Sequence, residues 1–259
     1  MKQSVFITIL TVLAFAVAYV IYMYILGNPA NFANGELRTV PIPGNILANI
    51  YTGGPLVVLL IALSIMDVAI IFERIFSLKK AGGKRPVPAF FKDIVVHLDN
   101  SEYDAAIELC DKQRGSVANI IKASLSRYKE LTAKGKNVDA EKLLLEVQRS
   151  VEEATMLETP LLEKNLIMLS TIASIATMVG LLGTVLGMIR AFTAMARAGA
   201  PDAISLAVGI SEALINTAGG LICAIMGIVA YNFFVNKVDN FTYSVDEASY
   251  NVIQILKSK

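Results

Sequence analysis

The sequence is poor in the residues that most often build catalytic and metal-binding sites. Its 259 residues include one histidine, His97, and two cysteines, Cys110 and Cys223. A single histidine cannot by itself form a metal site or pair with a serine or cysteine nucleophile, so we interpret His97 as a helix-surface residue. We therefore expect no enzyme activity, no metal and no cofactor. Cys110 lies in a charged segment and Cys223 in an apolar one, so we expect two free thiols that serve packing.

Charge is also scarce. Only 17% of the residues are charged, and 23 lysines and arginines against 22 aspartates and glutamates leave a net charge of +1. No basic surplus is available to neutralise a phosphate backbone, so nucleic acid is not an expected partner. Apolar residues make up 55% of the chain, and the mean hydropathy is +0.58. This composition is too apolar for an ordinary soluble domain and indicates a protein surrounded by membrane lipids.

Four apolar stretches are long enough to cross a membrane as helices, which takes about 20 residues for a hydrocarbon layer of ~30 Å. They are residues 5–26, 56–72, 166–189 and 203–236. Only Asp67 and Glu212 are charged within them. The first stretch resembles a signal peptide in position, but its apolar run is too long and no Ala-x-Ala site follows it. We therefore interpret it as a retained helix.

The spans and the segments between them predict an all-α fold, a polytopic membrane protein with four transmembrane helices and a helical cytoplasmic domain. Basic residues cluster directly after the second span, whereas residues 28–54 hold only Arg38. Because positive charge favours the cytoplasmic side, both termini are expected there. The predicted segments are an N-terminal transmembrane helix 1–27, a periplasmic loop 28–54, a transmembrane helix 55–77, a cytoplasmic helical domain 78–163, a transmembrane helix 164–196, a short periplasmic turn 197–202, a transmembrane helix 203–236 and a cytoplasmic C-terminal helix 237–259.

Local signals divide the predicted cytoplasmic domain into helices. Ser101 and Asp104 resemble a capping box, which predicts a helix start at Ser101, and Gly115 predicts a helix end. Pro160 predicts a kink or a restart just before the third span. Four apolar residues recur at helical spacing and predict one buried stripe: Leu143, Val147, Val151 and Ala154.

Glu212 is the residue to which the sequence assigns chemistry. A carboxylate inside the hydrocarbon layer costs about 2.5–3.5 kcal/mol on insertion scales, so its presence requires a reason. A helix that starts near residues 201–202 would place Glu212 roughly 15 Å along its axis, close to the midplane. Loss of water disfavours the charged form there, which would let the group gain and lose a proton. The alternatives are permanent neutralisation by Arg190 or Arg197, or a position at the membrane interface.

Polar and small residues accompany Glu212. Asn216 lies one turn further on the same face, with Thr217 beside it, and Thr177 and Thr184 form a seam with Ser170 at a spacing of seven residues. Such a seam could face a water-filled passage, although each hydroxyl can also bond to its own helix. Five glycines predict close helix packing: Gly180, Gly183, Gly187, Gly219 and Gly220. Asp67 is a further ionisable candidate, with Arg74 seven residues away as a possible counter-charge.

Two segments carry a family resemblance. GLLGTVLGMI at 180–189, followed by GISEALINTA at 209–218, resembles the ExbB/TolQ branch of the MotA/TolQ/ExbB proton-channel family. The likeness extends from about Pro55 to Asn240. It implies a bacterial inner-membrane protein that forms a homopentamer around a dimer of ExbD/TolR-like single-span partners, with a TonB/TolA-like protein as a possible further partner. Proton flow would then drive transport at the outer membrane or other envelope work.

By this resemblance, Glu212 matches the family's intramembrane glutamate, and Thr217 and Thr184 match its two threonines. The chain departs from the pattern at Thr177 and Met226, where prolines are usual, and at Ile215–Asn216, where a smaller pair is common. The first span is also additional to the usual three. A gliding or flagellar-type stator subunit and a membrane scaffold without proton flux are the alternative functions.

Overall fold

The chain folds into helices joined by short connections. The structure is a computed structural model and describes residues 2–38, 40–134, 140–196 and 203–257. Within these residues, the only β feature is an isolated bridge between Phe32 and Pro41. The α-helices are α1 Lys2–Val20, α2 Ile46–Tyr51, α3 Pro55–Ala81, α4 Val87–Asp99, α5 Tyr103–Gln113, α6 Ser116–Lys134, α7 Ala140–Glu163, α8 Leu166–Met195 and α9 Ala203–Lys257. Helix α1 continues as a π-helical segment, Ile21–Leu26. Two single 3-10 turns follow it, Pro29–Asn31 and Gly35–Leu37.

Four helical stretches are long and apolar enough to cross a membrane. They lie within Ile7–Leu26, Pro55–Ala81, Glu141–Met195 and Ala203–Lys257. The expected all-α membrane fold is thereby confirmed. The predicted turn at 197–202 lies outside the described residues. The predicted boundary between 203–236 and 237–259 is not a break, because α9 continues through it as one helix about 80 Å long.

The chain divides into two compact units. The first, called here the membrane unit, comprises Met1–Ile71 and Ile167–Tyr231. The second, called here the helical unit, comprises Phe72–Leu166 and Asn232–Lys259. Helices α3 and α9 contribute residues to both units.

Helices α8 and α9 of the membrane unit approach each other backbone to backbone. A Cβ atom on Gly187 would lie 2.6 Å from Ala213 N and 2.7 Å from Gly209 O. A Cβ atom on Gly220 would lie 2.6 Å from Ala176 O. Neither position has room for a side chain, because the neighbouring atoms belong to backbone. Helices in lipid gain little from burying apolar surface against each other, so such close van der Waals packing is a main source of their association.

The helical unit has a core of large apolar side chains. Val147 and Val151 of the predicted stripe belong to this core, and Leu143 and Ala154 pack against it, so the stripe is confirmed. The core also takes residues from the last turns of α9. Its largest fully buried members are Phe90, Ile94, Leu98, Ile120, Ile121, Leu125, Val147 and Val252.

One local expectation in the helical unit, the start of α5 at Ser101, is wrong. Helix α5 begins at Tyr103 without a side-chain cap, and Ser101 is left-handed with φ of 60°. The Glu102 amide donates to His97 O and the Ser101 amide donates to Leu98 O, so Ser101 closes the end of α4 in a Schellman motif instead of opening α5. The predicted helix end before Gly115 is confirmed, since α5 ends at Gln113.

Pro160 does not restart a helix. Helix α7 continues through it to Glu163, and the break follows at Lys164–Asn165, where Asn165 is left-handed with φ of 63°. Asparagine tolerates this conformation better than other non-glycine residues, so the turn between α7 and α8 forms there.

Candidate functional site

Glu212, which is buried, forms an ion pair with Arg190, which is exposed. Arg190 Nη1 lies 2.6 Å from Glu212 Oε1 and 2.5 Å from Oε2. The two side chains differ in environment, because that of Glu212 is 5% exposed and that of Arg190 is 58% exposed. The arginine therefore closes the carboxylate off from one side while keeping its own contact with the surroundings. This is the neutralising arrangement that the sequence left open as an alternative.

The turn before α3 shapes the other side of the carboxylate. Gly54 has φ of +76°, a conformation that favours glycine, and a Cβ atom there would lie 2.9 Å from Glu212 Oε1. Glu212 is thus level with the first residue of α3, and Arg190 directly follows the charge-free stretch of α8. The ion pair therefore lies at one end of the apolar stretches of α3 and α8, and the midplane position expected for Glu212 stays a prediction.

Asn216 links α9 to the same turn. Its Nδ2 donates to Gly53 O at 2.7 Å and to Glu212 O at 3.0 Å. The side chain is fully buried, and its Oδ1 has no hydrogen-bond partner within the described residues. Gly183 makes room for it, since a Cβ atom at Gly183 would lie 2.2 Å from Asn216 Cβ. Asn216 therefore fixes the register of α9 against the start of α3 and leaves one polar atom unsatisfied.

A cleft of about 700 Å³ opens beside the ion pair. Arg38 also lines the cleft, and its Nε is buried without a hydrogen-bond partner in the described part of the chain. Two aromatic rings form a further part of the wall: Tyr22 stacks on Tyr51 at 4.6 Å and donates its hydroxyl to Tyr51 O at 3.2 Å. The lining of the cleft thus includes one carboxylate, Glu212, and two guanidinium groups, those of Arg38 and Arg190.

The threonines of the predicted pathway are placed differently. Thr217 Oγ1 is 3.2 Å from Gly180 O and 3.2 Å from Ala213 O, so its hydroxyl lies at the contact between α8 and α9. Thr177 and Thr184 donate to carbonyls of their own helix, at 3.0 Å and 2.5 Å, and so does Ser170 at 3.0 Å. The structure does not bring the seam on α8 into the cleft beside Glu212.

The five predicted packing glycines lie at helix contacts. Gly180, Gly183, Gly187 and Gly220 line the contact between α8 and α9. Gly219 faces the opposite neighbour, with Leu60 Cδ1 3.2 Å from a Cβ atom placed there. Close packing on both sides of α9 therefore holds Glu212 and Asn216 in place.

The remaining candidates lie outside the cleft. Asp67 is fully buried between α3 and α9. Arg74 does not serve as its counter-charge, because its guanidinium is bound to Glu73 and to Leu162 O. His97 contacts Glu102 at 2.8 Å in the helical unit. The expected free thiols are confirmed at Cys110 and Cys223, and burial raises the pKa of the Cys110 thiol to about 12.

Comparison with known proteins assigns the family. The family model described as the MotA/TolQ/ExbB proton channel family matches residues 113–247, just over half of the chain. The chain belongs to this family. The match includes all of α8 and the part of α9 that carries Glu212, and thus both residues of the ion pair.

Relatives in this family carry TolQ and ExbB names. The chain is 33% identical over 176 residues to the Tol-Pal system protein TolQ of Pseudomonas aeruginosa, an alignment that covers 68% of this chain and 74% of that protein. It is 39% identical over 88 residues to the biopolymer transport protein ExbB of Pseudomonas putida, covering 34% and 27%. It is 46% identical over 77 residues to ExbB of Aquifex aeolicus, covering 30% and 52%.

Sequence reasoning missed several residues of the site. Gly53 and Gly54 carried a usable signal, because two glycines directly before a proline that opens an apolar span predict a tight turn at its end. Arg38 was noted only for its charge. The contact between Tyr22 and Tyr51 joins residues 29 positions apart and has no local signature.

Proposed function

We propose that the protein is the inner-membrane proton-channel subunit of an energy-transducing complex of the ExbB/TolQ type. It would couple proton flow to outer-membrane transport or other envelope work, without enzyme activity. The observation that carries the proposal is the Glu212 carboxylate, which is buried in a chain of this family and lines an open cleft.

Protonation of Glu212 would depend on Arg190. With the arginine in place, the carboxylate has an opposite charge at hydrogen-bond distance. Arg190 is more than half exposed and can leave the pair at a small cost in burial. Without Arg190, Glu212 would be a carboxylate buried without a counter-charge, which is costly. Arg190 therefore acts as a counter-ion whose displacement makes the glutamate a proton acceptor.

Work by the complex requires only a few protons. One charge that crosses 100 mV releases about 2.3 kcal/mol, which is enough for a few protons to shift helices against each other. Thr217 would contribute its hydroxyl group to the proton path at the contact between α8 and α9. Thr184 and Thr177 would serve only after their hydroxyls leave their own helix carbonyls.

Further subunits would complete the channel. A homopentamer around a dimer of TolR/ExbD-type single-span partners is the proposed assembly, with a TonB/TolA-like protein as a further contact. The exposed apolar side chains of α8 and α9 support it, since lipid or other helices must cover them. They include Met178, Leu181, Val185, Ile189, Leu214, Ile222 and Ile225. The partner's helix would contribute a second carboxylate to the path.

The proposed orientation places the helical unit and both termini in the cytoplasm. Lys79, Lys80, Lys84 and Arg85 follow the second span, and the cleft at the other end of the membrane unit would then face the periplasm. Protons would reach Glu212 from the side on which the proton motive force concentrates them.

Proton flux into liposomes tests the proposal. The complex is purified with its single-span partner, reconstituted, and compared with Glu212→Gln, which keeps the size of the side chain and removes its charge. We expect Glu212→Gln to reduce partner-dependent flux by roughly a hundredfold, as loss of a positioned proton-transfer group does. Glu247→Gln is the matched control, because Glu247 is exposed on the same helix, in the helical unit. Undiminished flux in the Glu212 variant would contradict the proposal.

A membrane scaffold is the second candidate function, favoured by the ion pair and by the Asn216 link to Gly53 O. Buried polar groups can specify one helix register without transporting anything. A scaffold would give no partner-dependent flux in the unmodified complex, and Glu212→Gln would mainly weaken assembly. A stator of the gliding or flagellar type would conduct protons but co-purify with a partner that carries a wall-binding domain.

A further inference from the structure

A second carboxylate is buried deeper in the membrane unit than Glu212. Asp67 lies twelve residues after Pro55, about 18 Å along α3, whereas Glu212 is level with Gly54. Its side chain is fully buried. Of the two carboxylates in the predicted spans, Asp67 is therefore the one half-way along its helix.

Three helices enclose the Asp67 carboxylate. Cys223 Sγ of α9 lies 3.5 Å from Asp67 Oδ2. A Cβ atom on Gly227 would lie 3.0 Å from the same oxygen, 3.0 Å from Leu169 O and 3.1 Å from Ala173 Cβ. The glycine thus lets α9 close over the carboxylate against both α3 and α8.

Within the described residues, Asp67 forms no ion pair with a cation. Oδ1 has no hydrogen-bond partner among the described residues, and Cys223 is the titratable group that faces the carboxylate from α9. The neighbours from α8, Leu169 and Ala173, are apolar, and Ser64 on α3 donates its hydroxyl to Leu60 O. An ionised carboxylate without a counter-charge or several N–H donors is strongly disfavoured away from water. The enclosed arrangement therefore suits a carboxyl group that holds a proton.

One face of α9 connects the two carboxylates. Glu212, Asn216, Cys223 and Gly227 are all buried, and their spacing of four, eleven and fifteen residues places them on the same side of the helix. From Glu212 to Cys223 the distance along the axis is about 16 Å. The unpaired Oδ1 of Asn216 lies on this face between them. Between Glu212 and Cys223 on this face of α9, Gly219 is in contact with the Leu60 side chain of α3.

We infer that Asp67 is a second proton-binding group of the conduction path, which receives the proton from Glu212 and passes it towards the helical-unit end of α3. The inference rests on the proposed function. In the transfer, the Glu212 carboxylic acid loses a proton and the Asp67 carboxylate gains it, through water that enters between α3 and α9 when Leu60 moves. Release of the proton leaves Asp67 ionised and ready for the next one. The enclosed state of the structure corresponds to Asp67 holding its proton.

Infrared spectroscopy on the reconstituted complex tests whether Asp67 binds a proton. We expect a carbonyl stretching band of a buried protonated carboxyl group that disappears in Asp67→Asn and persists in Glu212→Gln. Asp246→Asn, an exposed aspartate of α9, is the matched control and should leave the band unchanged. A spectrum of Asp67→Asn that is identical to that of the unmodified complex would overturn the inference.

Proton flux tests whether Asp67 belongs to the path. Asparagine fills the same space and keeps a polar group beside Cys223, so a purely structural aspartate would tolerate it. We expect Asp67→Asn to lower partner-dependent flux by roughly tenfold or more, with partial recovery in Asp67→Glu. Leu60→Ala removes the side chain that lies between the two carboxylates. It should raise the flux and keep the infrared band of Asp67. This variant tests the path even if Asp67→Asn assembles poorly. Normal flux in Asp67→Asn with loss of flux in Glu212→Gln would overturn the role of Asp67 alone. Absence of flux in the unmodified complex would instead contradict the proposed function.

Discussion

The membrane unit and the helical unit bury opposite kinds of residues. In the helical unit, Phe90, Ile94 and Leu125 fill the core, and water on the outside drives them together. In the membrane unit, the contact between α8 and α9 is built from glycine and alanine, while large apolar side chains point outwards. Lipid is as apolar as leucine, so close backbone contact takes the place that the hydrophobic effect has in water.

The two units also differ in where they keep charge. The helical unit carries ion pairs such as Lys122–Asp111 and Arg85–Asp93 on its surface, where each contributes little. In the membrane unit, Glu212 is paired with an arginine, and the thiol of Cys223 is the polar side chain in contact with Asp67 among the described residues. Because charge is costly in lipid, each buried carboxylate there needs a compensating reason, whereas an ion pair in water needs none.

The largest expected effect on stability is in the core of the helical unit. Leu125 is fully buried, so Leu125→Ala should lower the free energy of unfolding by roughly 2–5 kcal/mol, through lost burial and the cavity left behind. Leu145 is 64% exposed, and Leu145→Ala is the matched control with a small expected effect. Thermal unfolding of the full chain in detergent, followed by circular dichroism, gives the comparison. Equal shifts for the two leucines would show that apolar burial does not hold this unit together.

Two neighbouring glycines test backbone packing in the membrane unit. Gly220→Ala forces a methyl group against Ala176 O and Gly180 Cα, both backbone atoms, and should cost roughly 1–3 kcal/mol as overpacking does. Gly219→Ala meets only the flexible end of Leu60, so it should be tolerated better. Size-exclusion profiles of the purified complex and its thermal midpoint distinguish them. If Gly219→Ala lowered the midpoint more than Gly220→Ala, the tighter helix contact would be the one between α9 and α3, not the one between α9 and α8.

Much of the fold could be predicted because hydropathy is a local property. Runs of about 20 apolar residues and the charges beside them indicate the four spans, and helical spacing indicates the stripe through Val147 and Val151. The errors occur where two local signals compete. Ser101 has the residue type of a helix N-cap at α5, but it adopts the left-handed conformation that ends α4. At Pro160 the helix continues for three more residues, and Asn165 provides the turn.

Less of the site could be predicted, because its geometry depends on contacts distant in sequence. The motif around Glu212 indicates an intramembrane carboxylate, and Arg190 could be named as one of its possible partners. The contact of Glu212 with Gly54 joins residues more than 150 positions apart, so α9 alone could not predict it. Asp67 stands out in the sequence as a charge in an apolar stretch. Its lack of pairing with Arg74 could not be predicted, because it depends on the ion pair between Arg74 and Glu73.

The smallest expected effect concerns a surface ion pair of the helical unit. The Arg127 guanidinium hydrogen-bonds to Glu146 and holds the pKa of that carboxyl below its ordinary value. Because the folded-state pKa is lowered, the pair stabilises the fold above the ordinary glutamate pKa of about 4.3, and this contribution is lost as the pH falls through the lowered value. Glu146→Gln should therefore lower the thermal midpoint slightly at pH 7 and not at all in acid below the lowered pKa, with Glu247→Gln as the control. Salt should weaken the effect at pH 7, because both side chains are about one-third exposed. A decrease in thermal midpoint as large as that of Leu125→Ala would show that surface charges stabilise this unit as much as its apolar core does. The contrast drawn here between the two units would then be wrong.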